Sequence, residues 1–396
     1  MKILNIFNHY LETGGEARAV DAICGSLSQI HDLRRCEFFS SDWTGADAPA
    51  KWKQALWMFR NPKSLDELRR CEQLGRSDLW LVHNILPVGS LAVYPEAQRQ
   101  DVPIVQYVHN FRPFSVSGYL WADNKVATGG LSKNYWSEIR HGAWQNSRAK
   151  TALLALALTM GHALGYWRNV RAWIAISEFM RARFVAAGVP SHKIFTLRHF
   201  WNPRPTGNGS GGRGYVFLGR LVEAKGVNVL LDAWQILERR YGPLTPPLLI
   251  GGDGPLRSVV ISRAGRMRAV TFGGQISGSA KQEALKGSRA VIVPSISWEA
   301  LGLTVYEAYD YSRPVLVANS GGLGEVVVEG KTGFIHQPGN ADELAQQVIK
   351  MENEPGRARE MGRCGRSWLE VNASESEWRR GFAAIAEYAV RTDSPR

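Results

Sequence analysis

Two glutamates and a short series of cations carry the clearest chemical signal in this chain. Glu299 and Glu307, with seven residues between them, lie in the segment 290–325, AVIVPSISWEALGLTVYEAYDYSRPVLVANSGGLGE. The apolar run 290–293 has the length and content of a buried strand and stops at Pro294. A loop carrying Glu299 follows. Gly302 then leads into a helix carrying Glu307, Arg313-Pro314 ends that helix, and 315–318 begins another strand. Open α/β sheets bind ligands in loops at the carboxyl ends of their parallel strands, and this loop has that position. The free N–H groups around Gly302, Leu303 and Thr304, at a helix start, suit a phosphate. Glu307, one turn in, can accept hydrogen bonds from a vicinal diol such as ribose. Glu299 would stand at the mouth, beside whatever the phosphate carries.

About 80 residues upstream, strand 215–218 runs into Gly219-Arg220-Leu221-Val222-Glu223-Ala224-Lys225-Gly226, and an amphipathic helix over 227–240 follows. Two cations five positions apart on a strand-to-helix turn can converge on a diphosphate, Arg220 as a fork and Lys225 as a point charge. Taken singly they would be ordinary surface charges. Strand 248–250 enters a turn with Gly252 and Gly254, and 270–272 ends at Gly273. Near the start, the apolar strand 2–7 meets a turn with Gly14 and Gly15, then a helix over 16–29. The unit lacks G-x-G-x-x-G, so a nicotinamide dinucleotide fingerprint is absent and a dehydrogenase is disfavoured. Strand 102–108 ends at His109. A histidine at a carboxyl strand end points toward the ligand crevice, although a structural cap is the plain alternative.

The combination P-S-x-x-x-E-x-x-G-L-x-x-x-E-A with G-R-L-x-x-x-K-G resembles the retaining glycosyltransferases of family 4, with their E-x7-E signature and GT-B fold. The resemblance is strong over 215–340, fair over 1–20 and 100–200, and weak elsewhere. It implies two Rossmann-like, doubly wound α/β domains facing across a cleft. It also implies transfer of a sugar, with retention, from a UDP- or GDP-linked donor to a saccharide acceptor. In that reading Arg220 and Lys225 neutralise the departing diphosphate, Glu299 orients the sugar, and His109 contacts it from the other domain. Glu307 holds the ribose, while Gly252, Gly254 and Gly273 line the nucleotide. Gly14 and Gly15 form the acceptor or phosphate loop. No metal and no other cofactor is implied, because cationic side chains take the metal's part. A sugar phosphorylase of the same fold and a non-catalytic sugar- or lipid-binding relative remain as alternatives. Trp298 and Ala300, which flank Glu299, keep the latter open.

The 396 residues suffice for two or three domains, and 44% hydrophobic content is that of a globular protein. The Pro- and Gly-rich stretch 202–214 reads as a linker. The expected division is therefore 1–201, a linker, 215–371, and a final helix within 372–396 that crosses back to the first domain. Four cysteines without metal-site spacing fit a reducing compartment. The polar amino terminus is no signal peptide, so a cytoplasmic protein is expected. The net charge of +12 concentrates in 125–198, which has 11 basic and 2 acidic side chains. That favours an anionic membrane surface or a lipid-linked acceptor at the inner membrane face, in cell-surface polysaccharide assembly, over nucleic acid. Residues 36–76 read as loop with one or two helices, and 113–146 as a long acceptor-side loop. The 17 residues 151–167 carry no Lys, Arg, Asp or Glu. They read as a buried helix or a helix lying in the membrane plane; a spanning helix is the third alternative.

Overall fold

A computed structural model describes residues 1–11, 14–204 and 212–391. The chain divides into two compact units, and most of the expected linker, 205–211, lies outside the described residues. The first unit takes residues 1–123, 127–199 and the helix from Glu375. The second takes 124–126 and 200–374.

The first unit is built on a six-stranded parallel sheet of β1 (Lys2–His9), β2 (Asp32–Phe39), β3 (Leu79–Val82), β4 (Ile104–Val108), β5 (Val170–Ala175) and β6 (Ile194–Thr196). Its order is β2-β1-β3-β4-β5-β6. Seven helices belong to this run of chain: α1 (Gly15–Leu27), α2 (Lys51–Trp57), α3 (Pro62–Gln73), α4 (Val93–Arg99), α5 (Trp136–Arg140), α6 (Arg148–Ala163) and α7 (Glu178–Ala186). The central strands β3 and β4 are buried throughout, as unbroken apolar runs covered on both faces must be. In α1, Ala17, Val20 and Cys24 recur at helical spacing and pack with Phe7 of β1.

The second unit has a six-stranded parallel sheet of β7 (Tyr215–Leu218), β8 (Leu248–Gly251), β9 (Val270–Phe272), β10 (Ala290–Val293), β11 (Val315–Ala318) and β12 (Gly333–His336). The order β9-β8-β7-β10-β11-β12 is that of dinucleotide-binding sheets. Its helices are α8 (Val227–Tyr241), α9 (Arg257–Ala264), α10 (Gly278–Gly287), α11 (Leu303–Asp310), α12 (Ala341–Asn353) and α13 (Pro355–Asn372). Leu230, Leu231, Trp234 and Leu237 of α8 are buried against the sheet. The last helix, α14 (Glu375–Arg391), packs on the first unit. There Trp378 Nε1 donates to the Tyr107 hydroxyl at 3.2 Å and Arg379 Nε to Ser26 Oγ at 2.8 Å. The two doubly wound α/β units expected from the sequence are therefore present.

Two local readings change. Residues 36–39, read as loop, belong to β2, whose sequence DLRRCEFF hides its apolar alternation behind edge-strand charges. Gly333-Phe334 opens the edge strand β12. The segment 113–146 is more organised than a long loop. Buried Glu138 on α5 accepts from Ser115 Oγ (2.8 Å), Val116 N (3.1 Å) and Ser117 N (2.8 Å), which pins the turn after β4.

In the second unit a buried ion pair fixes α11. Arg366 on α13 reaches Asp310 Oδ1 at 3.1 Å and the Asp310 carbonyl at 2.8 Å, and Asp310 accepts from Arg204 N at 2.8 Å. Removing Arg366 leaves the buried Asp310 carboxylate with only the longer Arg204 side-chain contact at 3.7 Å to balance its charge. Arg366→Leu should lower unfolding free energy by about 3 kcal/mol in urea titration. A loss under about 1 kcal/mol would show that Arg204 compensates Asp310 by itself.

Candidate active site

Strand order reverses in the second sheet between β7 and β10, so the loops leaving their carboxyl ends diverge and open a crevice. The β7 loop carries Arg220 and Lys225; the β10 loop carries Ser295 and Glu299. Lys225 Nζ lies 2.5 Å from Glu299 Oε1, and Ser295 Oγ donates to the same carboxylate at 2.6 Å. Burial pushes the Glu299 carboxyl up. The Lys225 charge and hydrogen bond, with that of Ser295, outweigh it and hold the group below its ordinary range. Glu299 is thus an anion held beside a cation.

The backbone on both sides of the pair is fixed. Ala224 O accepts from Ile296 N (3.0 Å) and Ser297 N (3.1 Å), which ties the two loops together. Glu299 O accepts from Gly322 N at 2.7 Å, and Glu299 bridges to Gly321. Gly321 has φ +63°, and a Cβ there would lie 2.3 Å from Glu299 O, so only glycine permits the approach. Gly252 (φ +150°) plays the same part for the β8 turn, where a Cβ would come within 1.9 Å of Gly219 O.

Gly302 is the N-cap of α11, and Val305 N donates back to Gly302 O at 2.9 Å. The N–H groups of Leu303 and Thr304 have no acceptor among the described residues. They remain available to an anion. Glu307 faces α10, where Lys281 Nζ meets Glu307 Oε1 at 2.6 Å. Each glutamate of the expected pair therefore has its own lysine. Gly254 lies under the β7 loop beside Leu221. Gly273 follows β9, the sheet's edge, two strands from β7, and donates to Ile250 O at 2.9 Å.

In the first unit, His109 follows β4 as the sequence suggests, but it is not a lone histidine. His83 follows β3, whose neighbour β1 marks the reversal of strand order in this sheet, and His199 follows β6. His83 Nε2 meets Asn5 Oδ1 at 2.8 Å, and His83 Nδ1 meets His109 Nε2 at 2.8 Å. His109 Nδ1 meets His199 Nε2 at 3.2 Å, and His199 Nδ1 lies 3.5 Å from the Tyr107 hydroxyl. With the Asn5 carbonyl oxygen as terminal acceptor, each ring carries one proton and donates in the same direction. Burial, with the neighbouring imidazole charge, drives His109 well below its ordinary value. Burial likewise lowers His83 to about 3 and His199 to about 4. Both nitrogens of His109 are occupied, so a ligand can meet only its carbon edge or its backbone.

Gly14 caps α1 and Gly15 is its first residue, so the expected glycine loop leads directly to Glu16. Glu16 Oε2 accepts from Asn110 Nδ2 at 2.8 Å, whereas Oε1 is buried without a hydrogen-bond partner among the described residues. Burial raises this carboxyl to about 7 against the Arg112 charge and the hydrogen bonds of Asn110 and Tyr10. Glu16 lines a cavity of about 20 Å³ together with His83, His109, Asn110 and Arg112. That is room for roughly one water. A carboxyl at that value can take or give a proton near neutrality. The sequence reading missed Lys281, Ser295, His83, His199 and Glu16. Ser295 lies within a quoted motif and Glu16 adjoins one; the others have no short-range signal.

Residues 203–368, somewhat under half the chain, match the family model described as glycosyl transferases group 1. Glycogen synthase of Mycobacterium tuberculosis is 30% identical over 43% of this chain and 41% of its own length. The chain thus spans about two-fifths of that relative. The same organism's GDP-mannose-dependent alpha-(1-6)-phosphatidylinositol monomannoside mannosyltransferase is 26% identical over 64% of this chain and 76% of its own. Among solved structures, Anabaena HepE in complex with UDP superposes with a TM-score of 0.68 at 16% identity, covering 98% of this chain and 100% of that one. The fold is that of GT-B glycosyltransferases.

In this GT-B chain the acidic limb of the pH–stability profile follows from the buried groups. The three histidines have folded values below an unfolded value near 6.5. The unfolded chain therefore binds more protons, and their contribution is present above pH 6.5 and lost as pH falls toward 4. Glu16, raised from 4.5 to about 7, acts in the opposite sense: its contribution is present below pH 4.5 and lost as pH rises through 7. Between pH 6.5 and 5, Glu16→Gln should steepen the loss of unfolding free energy on acidification by up to about 1.4 kcal/mol per pH unit. Denaturant titrations across that range measure it. Equal slopes in the two proteins would mean that Glu16 titrates normally.

Proposed function

We propose that this chain is a retaining glycosyltransferase of the family 4 type, moving a hexose from a nucleotide-sugar donor to a saccharide acceptor. The observation that carries the reading is the Lys225–Glu299 pair at the strand-order reversal of the second sheet, with two unused helix N–H groups and the Glu307–Lys281 pair close by in sequence and fold. The E-x7-E carboxylates then divide the work. Glu307 exchanges part of its contact with Lys281 for the ribose hydroxyls. Glu299, kept ionised, orients the sugar through its hydroxyls and stabilises positive charge developing at the anomeric carbon. Lys225 and Arg220, with the N–H groups of Leu303 and Thr304 beyond Gly302, neutralise the departing diphosphate, so no metal is required.

Gly252 and Gly254 let the β8 turn approach the diphosphate, and Gly273 borders the base. His109 stands beside the transferred sugar through its carbon edge or backbone, held by its two histidine neighbours. Gly14 and Gly15 bring the start of α1 to the acceptor. HepE binds UDP and UDP-glucose and the mycobacterial mannosyltransferase uses GDP-mannose, which supports a UDP- or GDP-linked donor here. We place the acceptor among lipid-linked saccharides of bacterial cell-surface polysaccharide assembly, and the protein on the cytoplasmic side of the membrane as a peripheral protein. The concentration of basic charge in 125–198 supports that placement.

Thermal unfolding with UDP, GDP and their sugar conjugates tests the donor site. A ligand at a hundred times its Kd stabilises the fold by about 2.7 kcal/mol. One nucleotide should raise the melting temperature of the wild type but of neither Glu307→Ala nor Lys225→Ala; an unchanged response in both variants would remove the proposed site. With a donor in hand, proton NMR of the product should show the anomeric configuration of the donor, and phosphate release would favour a phosphorylase instead. Turnover should survive excess EDTA, whereas loss of activity restored by a divalent cation would contradict the metal-free scheme.

A further inference from the structure

Helix α6 has two apolar faces. Thr151, Leu154, Ala155, Leu158 and Gly161 are buried on one side. On the other, Leu156, Met160 and Leu164 recur at four-residue spacing and are 52%, 42% and 61% exposed. No charged residue lies between Lys150 and Arg168 to break this outer row. The one hydroxyl near it, Thr159, is turned back onto Ala155 O at 2.8 Å. A helix on the surface of a soluble domain ordinarily faces water with charged side chains. An uncharged exposed row of three large apolar side chains over about two turns marks a contact surface.

The charge of this stretch of chain favours one class of partner. Residues 1–124 carry 13 basic and 14 acidic side chains, whereas 125–198 carry 11 and 2. One of those two acids, Glu138, is buried under the Ser115–Ser117 turn, so it offsets little of the surface charge. Exposed Arg148 and Lys150 stand at the amino end of α6 and Arg168 just beyond its carboxyl end. The adjoining α5 presents Trp136, 68% exposed, and the exposed Arg140. An apolar row with cations at both ends and an exposed aromatic side chain on the adjoining helix fits the boundary between headgroups and acyl chains. Sixteen helical residues extend roughly 24 Å, short of a bilayer's hydrocarbon core. No helix among the described residues is long and apolar enough to cross a membrane.

We propose that the outward face of α6 docks this protein on an anionic lipid bilayer, with the helix lying in the membrane plane, Leu156, Met160 and Leu164 entering the acyl boundary, and the flanking cations on lipid phosphates. This stands independently of the transfer reaction. The full chain is sedimented with phosphatidylcholine vesicles and with equimolar phosphatidylcholine–phosphatidylglycerol vesicles. Two variants accompany it: Leu156→Gln/Met160→Gln/Leu164→Gln, and Arg148→Glu/Lys150→Glu. Wild type should bind the anionic vesicles and far less the neutral ones. The glutamine variant should lose at least about a hundredfold in partition coefficient, because burial of each such side chain is worth on the order of tenfold. The charge-reversed variant should lose at least about tenfold. All three should melt alike, since the substituted side chains are exposed. Absent binding by wild type, or equal binding by the glutamine variant, overturns the proposal. So does a wild-type dimer that the glutamine variant converts to monomer, because the face would then belong to a second copy.

Discussion

The constraint on which both units depend is the connection geometry of a parallel sheet. Each crossover returns the chain to the same edge, so all strand ends of one kind lie together, and wherever strand order reverses two neighbouring loops part. In the second unit that place is the boundary of β7 and β10. Lys225 and Glu299 are 74 positions apart, yet they meet at 2.5 Å because their strands are neighbours there. The pair holds its geometry because Ala224 O binds both Ile296 N and Ser297 N, and because Gly321 lets a second backbone approach Glu299. The shape of the site thus comes from backbone and glycine, and its charge from two lysines and two glutamates.

The first unit uses the same ends of its strands differently. Three imidazoles and an asparagine, contributed by β1, β3, β4 and the stretch after β6, form a buried line of hydrogen bonds. Burying a polar ring costs free energy unless its nitrogens are paired. Here each ring satisfies the next, and a second proton on His83 or His109 would face a donor. The arrangement fixes the orientation of His109 and removes it as a freely titrating group. The group in this region that titrates near neutrality is instead Glu16, whose carboxyl is raised by burial to about 7.

The surface of the first unit shows a second separation of roles. The same 17-residue uncharged run supplies a buried face that packs α6 onto its unit and an exposed face that leaves apolar area in water. The exposed face costs solubility unless something covers it. The asymmetric charge around it favours an anionic surface as the cover.

Much of this protein was legible in its sequence wherever the signal is local. The apolar runs of β1, β4, β7, β10 and β11, the glycine turns behind them and the helix after Gly302 all follow from short-range pattern. Glu299, Glu307, Arg220 and Lys225 stand out because their spacing, taken with the flanking Pro, Ser and Gly residues, resembles a known motif. The edge strand β2 was hidden because an edge needs charges that obscure a period of two. Lys281, His83 and His199 were hidden because they act at a distance of 26 to 90 positions, and no spacing within a single element announces them. Whether 151–167 is core or surface could not be read either, since an uncharged helix has no polar side to betray which face is buried. The sequence by itself determined the elements and the chemistry available at their ends. Tertiary structure alone decided which carboxylate meets which lysine, that His109 has no nitrogen to spare, and which side of α6 faces outward, because each depends on strand neighbours and packing partners distant in the chain.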